Sequence, residues 1–428
     1  MFRHKTLTTL LLLAGVSLIG FLVYVNNDNA RLNQNNPAVE WSMEIFDKIR
    51  TNYWSKISEE QLSNLYTLAI EKILNRPLLL QEKNREALKN LMNKELAALD
   101  EASGKKFVTS LATVVLYNLE PVGRNALYTS RDEAALRDQV KNVDLGRNLY
   151  ETLGATNDAS PEEIEKSYEV KKEELKKENT PEAKRKMEEL SYAKEVLTVT
   201  DSKKAYDEAK IEPTVFGKTL SPEVYYVYIS KFSPTTFDEF VKLLSDTSNK
   251  SSLKALLMDV RGNIGGAVDI LPYFLGLFIG QNQYAYDFYH QENYNPNKTK
   301  LAKLPSLAKF KNIAMLTDDG TQSSAETMAA TFKRFNTAIV VGKTTKGWGT
   351  IENTFPIETL IDPVERYSLF LVHSITLRDD SQPIEGRGVE PNVDITKPNW
   401  QKTLEDYISY KPLFNAVKIM ADKKPEKI

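Results

Sequence analysis

Cysteine is absent from this 428-residue sequence, and histidine occurs only three times. The absence of cysteine excludes disulfides, a thiolate nucleophile and a lipid-modified cysteine anchor. Positive and negative charges nearly balance, with a net charge of −2, so the composition argues against a nucleic-acid partner. The sequence contains no phosphate-binding loop, dinucleotide fingerprint or metal-ligand motif, and we therefore expect no cofactor. The length allows two or three domains.

Long apolar runs are also scarce, and the most prominent one covers residues 7–25 without a charge. It follows the basic residues Arg3, His4 and Lys5 and is close to the length that spans a bilayer. The polar residues 26–30 make a poor signal-peptidase site, which favours an uncleaved signal anchor over residues 1–26. We therefore expect one membrane helix, with the bulk of the chain outside the cytoplasm.

Residues 41–140 have the pattern of a helical N-terminal region. Within it, residues 41–75 predict two amphipathic helices, and Ser58 with Gln61 forms a capping box for the second. The remainder carries no functional motif, so we interpret it as a packing collar for the domain that follows.

The motif that points most directly to chemistry is the segment D-G-T-Q-S-S-A-E at residues 319–326, which follows the apolar strand residues 313–316. A side chain at a strand-to-helix turn stands clear of the sheet. The free N–H groups of the first helical turn can also stabilise a developing oxyanion. By itself the pattern is weak, because a serine before a helix is usually an N-cap.

Other segments raise the significance of this serine. Residues 254–266 read K-A-L-L-M-D-V-R-G-N-I-G-G, a buried-looking strand that ends in a glycine pair. Together with 319–326, 384–391 and 226–232, this segment resembles the ordered motifs of the C-terminal processing peptidases, the tail-specific serine proteases. The resemblance implies an α/β core with a tail-specific-protease (ClpP/crotonase-like) fold over residues 213–425. It also implies that Ser323 is the nucleophile. By the same resemblance, the N–H groups of Gly265, Gly266 and Ser324 would form the oxyanion hole.

The general base of that family does not carry over to this sequence. The family's lysine aligns with Trp348, and its usual glutamine four residues later aligns with Glu352. An indole offers no acceptor nitrogen, so it cannot take a proton from a serine. Lys346 would lie on the same face of an extended segment, displaced by roughly 6 to 7 Å, and is our candidate base. The alternative interpretation is that Lys346 is an ordinary solvated lysine.

A histidine base is the other alternative. His4 precedes the apolar run, and His290 lies in a stretch without a motif. His373 lies in the strand-like residues 368–375, where a histidine is more often a satisfied sheet residue than a catalytic base.

Residues 147–210 occupy the place where the peptidase family carries a PDZ domain. They contain L-Y-E-T-L-G at 149–154, a capped helix from Ser160, a second helix from 180–181 and a closing K-A-Y-D at 204–207. This order resembles an all-α J-domain. The family's His-Pro-Asp tripeptide is missing, since that loop reads K-K-E-N at 176–179, so we expect no chaperone ATPase partner. A partner-binding insert and a helical spacer both fit this segment.

The resemblance implies an anchored serine-type endopeptidase acting on polypeptide substrates, namely unfolded or C-terminal segments of envelope proteins, with Ser323 and Lys346 as catalytic residues. The alternative is a catalytically inactive pseudoprotease that binds or scaffolds peptides. A third reading, an active co-chaperone fused to a relic, is disfavoured because the tripeptide is missing.

Overall fold

The computed structural model describes residues 36–178, 180–378 and 380–427. The expected anchor, residues 1–26, lies outside the described residues, as does Asn179 of the loop that replaces the tripeptide. None of the helices in the described part combines the length and the hydrophobicity needed for a membrane span.

Four capped helices build the N-terminal region, and each begins after a side chain that accepts a backbone N–H. Their bounds are α1 Pro37–Asn52, α2 Glu59–Leu74, α3 Arg85–Leu96 and α4 Glu101–Tyr117, and α5 follows at Ser130–Val140. The two helices predicted for residues 41–75 are confirmed, including the capping box of Ser58 and Gln61. Their fully buried side chains, among them Trp41 and Phe46, share one apolar cluster with Leu369 of a later strand.

The insert is all-α. It contains α6 Leu149–Leu153, α7 Pro161–Leu175, α8 Pro181–Thr198 and α9 Thr200–Ala209. Ser160 and Thr180 cap α7 and α8, as their sequence positions predict. The insert packs against the core, because Tyr192 of α8 contacts Phe216 of the core with ring centroids 6.0 Å apart.

A six-stranded sheet in the order β11-β8-β7-β4-β3-β2 forms the centre of the core. All neighbours are parallel except β2 and β3. The strands are β2 Val215–Ser221, β3 Val224–Ile229, β4 Ala255–Asp259, β7 Asn312–Thr317, β8 Ile339–Gly342 and β11 Val393–Asp394. Strands β3 and β4 are buried along their whole length, as expected of a parallel sheet covered on both faces.

Helices cover the two faces of this sheet. One face packs on α10 Thr236–Ser245, α11 Leu271–Ile279 and α12 Ser324–Arg334. The other packs on α13 Trp400–Tyr407, α14 Lys411–Ala421 and the insert helices, in a single apolar cluster. The mixed α/β class predicted from the sequence is confirmed.

A second, antiparallel sheet connects the core to the N-terminal helices. It runs β1-β10-β5-β6, with β9 paired to β10. Its strands are β1 Ala126–Thr129, β5 Tyr284–His290, β6 Asn293–Lys298, β9 Thr350–Pro356 and β10 Tyr367–Leu377. The short loop from β8 to β9 joins the two sheets beside the N-terminus of α12, and this junction carries the candidate site.

Candidate active site

Ser323 occupies a strained backbone conformation at the turn between β7 and α12. Its φ of 53° and ψ of −120° are unusual for a residue with a side chain. Such a conformation costs about 1–3 kcal/mol and persists only where the surroundings impose it. Here the N–H of Ser323 donates to the carbonyl of Trp348 (3.1 Å) and to Oε2 of Glu326 (2.9 Å). The turn therefore holds the hydroxyl at the start of α12, whose dipole favours negative charge there.

A glycine turn lies directly against this serine. A Cβ on Gly265 would meet the Cβ of Ser323 at 2.5 Å and its Oγ at 3.0 Å, and Gly265 also has a φ of +83°. Only glycine satisfies both conditions without strain. Asn263 fixes the turn, because its side chain accepts from Gly265 N–H (2.8 Å) and donates to the carbonyl of Ile229 (2.8 Å).

The three predicted oxyanion donors lie close together, since Gly265 contacts Ser323 and the hydroxyl of Ser324 donates to the carbonyl of Gly266 (3.4 Å), but they are not equivalent. The N–H of Gly265 already donates to Asn263. The N–H groups of Gly266 and Ser324 donate to no acceptor within the described residues. Ser324 is the first residue of α12, where a backbone N–H has no partner inside the helix. Gly266 and Ser324 are therefore the donors available to a ligand oxygen.

Glu326 joins the nucleophile turn to the loop between β8 and β9. Its carboxylate is fully buried and accepts four hydrogen bonds. The donors are Thr345 Oγ1 (2.5 Å), Gly347 N (2.7 Å), Trp348 N (2.8 Å) and Ser323 N (2.9 Å). Burial raises the pKa of Glu326, while these donors favour its ionised form. The sequence shows this residue as the end of the segment 319–326 and as the third helical position after a serine, which resembles an ordinary capping box, so its bonds to the loop between β8 and β9 could not be read from it.

Trp348, at the position of the family's lysine, is held by charged groups on both sides. The guanidinium carbon of Arg124 lies 3.3 Å from the ring centroid, and the indole Nε1 donates to Glu352 (3.3 Å). Arg124 in turn donates to Glu385 (3.0 Å), whose second oxygen accepts from Gly349 N–H (2.8 Å). Arg124 comes from the N-terminal helical region, and no local sequence signal links it to this loop.

Lys346 lies in the same loop, and its N–H donates to the carbonyl of Thr321 (2.9 Å). Its side chain is exposed, and no hydrogen bond within the described residues joins its ammonium to Ser323. The structure therefore brings the backbone of Lys346, but not its ammonium, to the nucleophile turn. Its assignment as the base stays a prediction.

The two histidines within the described residues lie on the second sheet. His290 and His373 stack with ring centroids 4.2 Å apart, and Nδ1 of His373 lies 2.8 Å from the hydroxyl of Ser374. Burial and the neighbouring His290 lower the pKa of His373. Within the described residues, neither histidine ring forms a hydrogen bond to Ser323. No three acidic or histidine side chains in the described part of the chain are grouped as a metal site.

Two family models match separate parts of this chain. Residues 223–395 match peptidase family S41, and residues 148–207 match the DnaJ domain. The carboxy-terminal processing protease CtpB of Bacillus subtilis is 28% identical over 203 residues, which are 47% of this chain and 39% of that protein. CtpA of the same organism is 26% identical over 189 residues, which are 44% and 38% of the two chains. The match thus spans about two fifths of these relatives.

Among solved structures, this chain is similar to the photosystem II D1 C-terminal processing protease. It is 12% identical with a TM-score of 0.49, over 84% of this chain and 93% of that one. A lipoprotein from Streptococcus agalactiae is 13% identical with a TM-score of 0.44, over 91% and 99% of the two chains. The two resemblances expected from the sequence are confirmed by the family models.

Proposed function

We propose that the protein is a serine-type peptidase that cleaves extended polypeptide segments, with Ser323 as its nucleophile. The match of residues 223–395 to the model of peptidase family S41 supports this proposal. The observation that carries this proposal is the strained backbone of Ser323, wedged against Gly265 at the start of α12. Strain of this kind is retained where a function requires the geometry. A serine that served only as a helix cap would adopt an ordinary extended conformation.

The arrangement suits acyl transfer. The Oγ of Ser323 attacks the scissile carbonyl carbon, and the carbonyl oxygen turns toward the N–H groups of Gly266 and Ser324. A base takes the hydroxyl proton and passes it to the leaving amine nitrogen as the C–N bond breaks. Water then hydrolyses the acyl ester and regenerates the serine. Lys346 is the proposed base, and it acts only after its flexible stem swings its amine, in the neutral form, toward Ser323.

The similarity to carboxy-terminal processing proteases supports C-terminal segments of proteins as substrates. The apolar run at residues 7–25 supports a membrane-anchored enzyme that meets unfolded envelope proteins outside the cytoplasm. Protease protection in intact cells tests this location. If an added protease cleaves residues 41–427 only after the cytoplasmic membrane has been disrupted, the proposed location is contradicted.

One observation favours a second function, the binding of peptides without hydrolysis. Trp348 fills the lysine position with an aromatic ring that Arg124 and Glu352 hold in place. An ordered ring next to the nucleophile adds apolar contact surface for a peptide and offers no proton acceptor. The glycine turn and the free N–H groups would then serve recognition alone.

Hydrolysis of an unstructured peptide by Ser323→Ala and Lys346→Met variants decides between these functions. A peptidase should lose activity to background in both, by about a thousandfold or more, because each variant removes part of one proton-transfer unit. Lys343→Met is the matched control, since Lys343 is an exposed lysine of the same loop that pairs with Asp319 (3.5 Å). It should keep full activity.

Turnover that survives Ser323→Ala would overturn the nucleophile. Full activity in Lys346→Met would place the base elsewhere. Absence of turnover in the wild type, with binding of the same peptide retained, would establish the second function.

A further inference from the structure

The strand that leaves the candidate active site has an open edge. Strand β9 begins two residues after Trp348, whose carbonyl oxygen accepts from the N–H of Ser323 (3.1 Å). Within the described residues, β9 pairs with β10 on one side and with no strand on the other. Asn353 and Thr354 in its middle are exposed. An open edge is a template onto which another extended chain can add.

The register of β10 determines which backbone groups of β9 face this edge. Val372 lies opposite Glu352. The N–H of Val372 donates to Oδ1 of Asn125 (2.8 Å), and its carbonyl accepts from the N–H of Trp54 (3.0 Å). Asn125 immediately precedes β1, which pairs with the other side of β10. Val372 and Glu352 therefore form a non-hydrogen-bonded pair, and the backbone N–H and C=O of Glu352 point away from β10.

Hydrogen-bonded and non-hydrogen-bonded pairs alternate along an antiparallel ladder, so the backbone groups of Thr354 and Pro356 also point away from β10. The N–H of Ile357 donates to the carbonyl of Tyr367 (2.9 Å), so the odd-numbered residues of β9 are those that bond to β10. The even-numbered residues face outward. Pro356 has no N–H and occupies an outward position, where proline is tolerated in a sheet. The edge thus offers the backbone of Glu352 and Thr354 and ends at Pro356.

We propose that an extended segment of the substrate adds to β9 as a further strand, paired with the outward N–H and C=O groups of Glu352 and Thr354. This proposal rests on the proposed function, since it describes how the polypeptide reaches Ser323. Thr354 lies six positions after Trp348, or roughly 20 Å along the strand. The substrate therefore pairs through residues up to about six positions from the scissile bond, and its backbone rather than its side-chain sequence is recognised.

A scan with N-methylated peptides tests the pairing. A fluorescent, unstructured peptide of about twelve residues is methylated at one backbone nitrogen at a time, and its binding to the Ser323→Ala protein is measured by anisotropy. Each methyl group removes one N–H. We expect affinity losses of about tenfold at every second residue on one side of the cleavage position, with near-neutral residues between them. Losses without this alternation would overturn the proposal.

Thr354 offers a matched pair of protein variants. Thr354→Pro removes one outward N–H and no bond to β10, whereas Thr354→Val keeps the N–H and changes only an exposed side chain. We expect Thr354→Pro to bind the unmodified peptide about tenfold more weakly and Thr354→Val to bind within twofold of the parent. Thermal unfolding identifies a misfolded proline variant, and the methylation scan decides in that case.

The two proposals fail in different ways. Peptide binding is measured in the Ser323→Ala protein, which lacks the nucleophile. The strand-pairing test therefore remains valid even if the wild type proves to be inactive. The converse outcome has two parts. Loss of hydrolysis in Ser323→Ala would support the peptidase proposal. A methylation scan without losses, and full binding by Thr354→Pro, would at the same time refute the strand-pairing proposal.

Discussion

Replacing Glu326 by glutamine should destabilise the site by an amount that its four hydrogen bonds determine. Oε1 of Glu326 accepts from Thr345 Oγ1 and Gly347 N, and Oε2 accepts from Ser323 N and Trp348 N. Glutamine has the same shape but only one oxygen. Its amide nitrogen cannot accept from an N–H.

Either orientation of the glutamine leaves at least one buried donor without an acceptor. With its oxygen in the Oε2 position, it still accepts from Ser323 and Trp348, but the N–H of Gly347 and the hydroxyl proton of Thr345 lose their acceptor. With its oxygen in the Oε1 position, the N–H of Trp348 loses its acceptor, while the N–H of Ser323 keeps the carbonyl of Trp348. One buried, unsatisfied donor costs about 1–3 kcal/mol, so we expect Glu326→Gln to lower the free energy of unfolding by about 1–3 kcal/mol.

Urea unfolding of the protein, monitored by circular dichroism, measures this loss of stability. The rate at which a fluorophosphonate labels Ser323 gives a second reading, and it should fall because the loop at 345–348 is no longer fully tied to the nucleophile turn. Glu358→Gln is the control, since Glu358 is exposed and a surface change of this kind stays within about 0.5 kcal/mol. A Glu326→Gln variant that unfolds and is labelled like the control would refute the role given to this carboxylate.

Three further predictions concern the lysine position, pH and the insert. Trp348→Lys combined with Glu352→Gln should raise both peptide hydrolysis and probe labelling of Ser323, since it restores a proton acceptor; unchanged rates would contradict this. Burial raises the pKa of Glu385 above its ordinary value of 4.5, so the folded state holds that proton more tightly. The contribution of Glu385 to the free energy of unfolding should therefore fall as the pH rises from 4.5 through the raised pKa of the folded state, and Glu385→Gln should remove this contribution in urea titrations at several pH values. The isolated fragment 146–210 should be helical by circular dichroism and fail to stimulate a chaperone ATPase; stimulation would support the co-chaperone reading.

The parts of the site that the sequence predicts are those whose signals are local. Ser323 follows a glycine, an apolar strand precedes it and a helix begins after it, all within about a dozen residues. The pair Gly265 and Gly266 lies in the turn that follows another buried strand, β4, which ends at Asp259. The capping boxes at Ser58 and Ser160 are equally local, and both helices begin where those residues predict.

The parts that could not be predicted depend on distant contacts. Arg124 stacks on Trp348 and pairs with Glu385, which is 261 residues away in the chain. Strand β1 has only four residues, and it is a strand because it pairs with β10. Neither feature has a period, a cap or a turn signal in the sequence. Packing between remote segments determined them, and single-sequence patterns do not contain that information.

The span of the Arg124–Glu385 contact also bears on when the site can form during synthesis. A ribosome supplies residue 385 long after residue 124, and only then can the guanidinium be neutralised and the ring of Trp348 be clamped. The loop that Glu326 holds is likewise made after the helical N-terminal region. A nascent chain that still lacks residue 385 therefore exposes no completed candidate site to other nascent proteins, and the proposed activity on polypeptides can begin only after that residue has been synthesised.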